Sequence, residues 1–140
     1  MLGCMKTVLV LLVVLAGCAN QATIGMCAGE VGTSGDYVVP LDSAIALAYR
    51  GDAKHKYFLL VEQSGCHRVL ASLPLQREPE GKWYAINFDC SNRQGSVVKG
   101  QPIIGLFHGD GGGGAEATWL VEPSKKRFIE VEPVKCNSFS

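Results

Sequence analysis

The sequence predicts a mainly β chain, built as a small antiparallel sandwich or barrel with one short helix at about 42–50 and two disulfides. Three observations carry this. Apolar and polar residues alternate in runs such as KWYAINFD (82–89), and a period of two belongs to strands. Turn-forming residues separate the runs at short intervals, as in Gln63-Ser64-Gly65 and Pro123-Ser124-Lys125-Lys126, so neighbouring strands pair antiparallel. The cysteines after residue 18 are Cys27, Cys66, Cys90 and Cys136. They are even in number, widely spread and without a C-x₂-C pair, which suits two disulfides and not a metal site.

The chain opens on an apolar run, Val8 to Gly17. As a helix it would be roughly 15 Å long, half of a ~30 Å hydrocarbon core, so it does not span. Lys6 precedes it and the small residues Ala16 and Gly17 end it. That is the anatomy of a secretory signal, assigned to 1–17. The next residue sharpens the assignment. Leu15-Ala16-Gly17-Cys18 resembles the lipobox of bacterial lipoproteins. The resemblance implies cleavage before Cys18, a diacylglycerol on its thiol and acylation of the new amino terminus. Several acyl chains on one residue hold a protein on a membrane where a single chain binds only reversibly. Residue +2 is Ala19 and not Asp; by the same resemblance this points to the outer membrane. Cys4 leaves with the signal.

Residues 18–36 are rich in Gly, Ala, Thr and Ser and read as a lipidated tether. A disulfide at Cys27 would shorten its free part to about nine residues, or roughly 30 Å. The globular domain then covers 37–140. Tyr37 to Leu41 reads as a short strand. Residues 42–50 fit two patterns. As a helix, Asp42 or Ser43 caps the start, Arg50 suits the end and Gly51 follows at C′. As a strand, Ile45, Leu47 and Tyr49 alternate with alanines. Alanine tips the expectation to helix.

Lys56–Glu62 and His67–Leu73 form a hairpin, and 74–81 is a loop. In Lys82–Asp89, Tyr84, Ile86 and Phe88 are expected to face the core and Trp83 the other side. Ser91 to Gly100 is a polar loop. Pro102 to Phe107 is an apolar strand whose Gly105 marks a candidate bulge. Thr118–Glu122 and Arg127–Val131 form a second hairpin. Of the three disulfide connectivities, the favoured one is Cys66–Cys90 with Cys27–Cys136. The first would pin neighbouring strands, closing a loop of about 25 residues for roughly 3 kcal/mol in the chain-entropy account, and the second would tie the ends of the domain.

The sequence carries no signature of a specific chemistry. Without Lys6 the chain holds 12 basic and 13 acidic residues, a formal charge of −1, and no half is strongly basic, so nucleic acid is not an expected partner. His108-Gly109-Asp110 opens a glycine-rich loop (109–114) whose backbone N–H groups could converge on an anion. It superficially resembles the HGGG segment of lipases and esterases, but a G-x-S-x-G elbow is missing. A mobile hairpin loop is the plainer explanation. Lys125-Lys126-Arg127 reads as a solvated turn. Trp83 is the best candidate for a partner contact. No cofactor or metal is implied.

The expectation is a membrane-anchored envelope lipoprotein acting as a binding or accessory module, with an envelope protein as partner. A second expectation is an inhibitor of a wall-degrading enzyme. Ser64-Gly65 and Gly114-Ala115-Glu116-Ala117 loosely resemble motifs of small lipoprotein lysozyme inhibitors, in a different order and spacing. A third is a small envelope hydrolase using His108 in its glycine loop, where His108 and Asp110 are the candidate loop site.

Overall fold

A computed structural model of the chain describes residues 22–109 and 113–137. The signal, Cys18 and Asp110 lie outside the described residues. The chain divides into two compact units, one up to Gln76 and one from Arg77. Among the described residues all strand pairing is antiparallel. Among the described residues the only helical pieces are two three-residue 3-10 turns, Ala28–Glu30 and Pro123–Lys125.

The first unit is a meander of four strands in chain order: β1 (Ser34–Pro40), β2 (Ile45–Gly51), β3 (Lys56–Glu62) and β4 (Val69–Leu75). One sheet face carries Ala46, Ala48, Leu59, Val61 and Val69, and the segment starting at Ala22 covers it with Ala22, Ala28 and Val31. On the other face Leu47, Phe58 and Leu60 are fully buried. A strand buried on both sides reads as a continuous apolar run, and Phe58-Leu59-Leu60-Val61 is one.

The helix expected at 42–50 is a correction: these residues form the β1–β2 turn and β2. The Asp42 carboxylate accepts the N–H groups of Ala44 and Ile45, both at 2.7 Å, and the Leu41 N–H donates to the Ile45 carbonyl at 2.9 Å. A helix N-cap and an Asx turn both begin with a carboxylate taking N–H groups two and three residues on, so Asp42 fits either. The alanines decide nothing for helix, because their small size serves the segment lying over them.

That segment is the part of the expected tether from Ala22 onward. It is folded, and several ties hold it. Gly25 and Val69 share a backbone bond of 2.8 Å. The Arg68 guanidinium donates to the Gly25 carbonyl at 2.7 Å. Arg50 donates to the carbonyls of Val31 and Gly29 at 3.2 and 3.1 Å. Cys27 is bonded to Cys66. The crossing is close: Gly32 has φ 65°, and a Cβ there would lie 2.3 Å from the Gly51 backbone, so only glycine fits.

The second unit contains β5 (Lys82–Asn87), β6 (Cys90–Ser91), β7 (Ile103–His108), β8 (Gly113–Gly114), β9 (Thr118–Glu122), β10 (Arg127–Val131) and β11 (Lys135–Cys136). Its main sheet has the order β10-β9-β7-β5, and β11 pairs with β6 and β8 in a small three-stranded sheet. Ile103, Phe107, Ala115, Leu120 and Val134 form its core together with Cys90 and Cys136. Gly105 is not at a bulge. It pairs regularly with Ala85 and Thr118, and a Cβ would meet the Phe107 ring at 2.6 Å.

The disulfides are a second correction. Cys27–Cys66 and Cys90–Cys136 are formed, in place of Cys66–Cys90 and Cys27–Cys136. Each bridge lies within one unit. Cys27 sits beside β4 through its bridge to Arg68, which brings it to Cys66. Cys136 pairs directly with Cys90 across β11 and β6.

Candidate functional site

The candidate surface is the outer side of β5. Among the described residues this strand is the last of its sheet, and the last strand of a sheet is where another chain can approach. Its lower end is firmly set. Asn87, 2% exposed, donates to the Asn137 carbonyl at 3.0 Å and accepts the Asp89 N–H at 2.8 Å. Asn137 in turn donates to the Asp89 carboxylate at 2.7 Å, and the Cys90–Cys136 bridge follows immediately.

Trp83 stands near the other end of the strand. It lies opposite the fully buried Phe107 in the register, yet it is 45% exposed. The face differs from the expected one. Alternation places Trp83 with Ala85 and Asn87, and Ala85 packs on the Phe107 cluster. Trp83 is therefore on the face of that core, left half open by its place next to the strand's start. Phe88, expected inside, is 40% exposed. The strand ends at Asn87, so Phe88 lies just past the segment paired with β7. Val98, 50% exposed, belongs to the loop fastened to Phe88 by the Gly100 N–H, which donates to the Phe88 carbonyl at 2.6 Å. The sequence singled out Trp83 and missed Phe88 and Val98; the only signal for Phe88 was its position just before Asp89 and Cys90, where the strand ends.

Two devices cover part of the edge. The Lys82 N–H donates to the Pro79 carbonyl at 3.1 Å. The Tyr84 N–H donates to the Glu78 carboxylate at 2.9 Å. On the face opposite Trp83, the rings of Tyr84 and Trp119 meet at 6.1 Å.

His108 ends β7, is exposed, and pairs in register with Lys82. The Lys82 ammonium forms an ion pair with the Glu116 carboxylate. Glu116 and Ala117 bond to Leu106 on the side of β7 away from β5, so the lysine side chain reaches across β7. His108 thus borders an ammonium–carboxylate pair; its expected companion Asp110 is outside the described residues. Among the described residues no three His, Cys, Asp or Glu side chains converge as a metal site would require. A half-exposed indole is suited to recognition, since the ring offers apolar area and one N–H donor.

The basic cluster is a turn, as expected. Lys126 adopts φ 53° between β9 and β10, and Arg127 pairs with Glu122. The chain matches no family model, no curated protein and no solved structure.

Proposed function

We propose that the chain is a lipid-anchored envelope protein, held by acylated Cys18 to the outer membrane, whose folded part binds an envelope protein along β5. The resemblance of Leu15-Ala16-Gly17-Cys18 to a lipobox supports the anchor. Two disulfides suit an oxidising compartment. The half-exposed indole of Trp83 carries the binding reading. Tryptophan leads the residues on which binding energy concentrates, and truncating such a residue costs about 2 kcal/mol or more, roughly 30-fold in affinity.

The test is cross-linking in intact cells, comparing the parent chain with Trp83→Ala. One protein adduct should form with the parent and fall by about an order of magnitude or more with the variant. Thermal unfolding of the variant should stay close to the parent's, because a half-exposed side chain adds little to the core. An adduct equally abundant with Trp83→Ala would refute the assignment of the contact to β5.

A further inference from the structure

We infer that the Ile24 turn is a second membrane contact, an apolar tip that enters the lipid interface beside the anchor. The inference rests on the reading that Cys18 is acylated. Its first support is distance. Ala22 is already buried in the first unit, 7% exposed. Only Ala19, Asn20 and Gln21 separate it from Cys18, so the two Cα atoms are at most about 14 Å apart. A domain on so short a leash must turn the surface around Ala22 toward the lipid.

The second support is what stands on that surface. Thr23 to Met26 form a tight turn closed by a 3.2 Å bond from the Met26 N–H to the Thr23 carbonyl. Gly25 takes φ 95° at the third position, the pattern of a type II turn. Ile24 at the second position is 61% exposed, the most exposed of the large apolar side chains described. The turn is fixed from behind by the Gly25–Val69 backbone bond, the Arg68 guanidinium and the Cys27–Cys66 bridge.

The charged groups around the turn are engaged with the protein and leave the tip itself apolar. The Arg68 side chain, 57% exposed, lies against the Gly25 carbonyl and 3.9 Å from the Glu62 carboxylate. Glu30 accepts the Cys27 N–H at 2.9 Å behind the turn. An apolar tip on a fixed turn matches a bilayer surface, where apolar side chains sink roughly 5–10 Å to the acyl boundary.

The experiment uses the full chain recovered from membranes and reconstituted into vesicles of phosphatidylethanolamine and phosphatidylglycerol. Ile24→Trp supplies the probe, read as emission beyond that of the parent chain with Trp83 and Trp119. Acyl chains brominated near the carbonyl supply the quencher. The mass of the N-terminal peptide is measured on the same preparation. The expected result is an acylated Cys18 with the added emission shifted to shorter wavelength and quenched about twofold or more. Acylated Cys18 with unquenched added emission overturns the contact and leaves the anchor standing. A bare Cys18 overturns the anchor and the contact with it. Because Ile24 is mostly exposed, the substitution leaves the fold intact, which the parent's thermal transition checks.

Discussion

At the scale of single residues, the turns are set by carboxylates whose geometry the sequence states only in part. Asp52 closes the β2–β3 hairpin by accepting the N–H groups of His55 and Lys54 at 2.7 and 2.8 Å. These bonds, the His55 one first, hold its carboxyl below the ordinary value of 3.8, aided by the nearby charges of His55 and Lys54 and against a small opposing effect of burial. A carboxyl with a lowered folded pKa stabilises the fold above its unfolded pKa, and that contribution is lost as pH falls through the folded value. Asp52→Asn keeps an acceptor but has no proton to take up. The parent should therefore be the more stable at neutral pH and lose its margin over the variant from about pH 4 downward. Denaturant midpoints of both chains from pH 7 to pH 2 measure this, and parallel profiles would show that Asp52 adds nothing as a charge. Asp42 makes the same kind of turn one hairpin earlier, yet the sequence reads it as a helix cap. The local bond pattern is shared, and only the chain beyond it distinguishes the two.

At the scale of elements, strands were legible where their patterning was local. Lys56–Glu62, Thr118–Glu122 and Arg127–Val131 were read with the bounds they have. The misreadings arose from contacts distant in sequence. Ala46 and Ala48 look like helix formers, but their smallness admits Ala22, Ala28 and Val31 above them. Gly- and Ala-rich 22–33 looks like a loose tether for the same reason that it can lie flat on a sheet. Disulfide pairing depends on which segments become neighbours, and spacing does not state that. The edge of β5 was equally hidden, because Glu78 reaches it from a loop. Its carboxylate occupies the Tyr84 N–H at a position where a second chain could otherwise dock. Glu78→Ala should cost about 1 kcal/mol and raise self-association relative to the parent, while Glu78→Gln, which keeps an acceptor, should stay near the parent. Sedimentation velocity over a concentration series measures this. Equal sedimentation of all three chains would mean that the edge is guarded by something other than Glu78.

At the scale of the whole molecule, the proposed anchor and the first unit are joined by so few residues that membrane and unit move together. The sequence suggested a reach of about 30 Å, set by a tether running to Cys27. Folding of the chain from Ala22 onward cuts this by half, since only three residues remain between Cys18 and the buried Ala22. A short reach confines the first unit to the layer next to the bilayer and raises its effective concentration at the lipid. Lengthening the link tests this without touching the fold. Twenty Gly and Ser residues inserted between Gln21 and Ala22 would give the link a root-mean-square span of roughly 25 Å. Thermal unfolding should be unchanged, because the insertion precedes the first buried residue. In vesicles the quenching of Trp at position 24 should fall severalfold, since the turn would no longer be held at the interface. If the quenching survives the insertion undiminished, the brevity of the link is not what sets the place of the first unit, and the turn binds by its own strength.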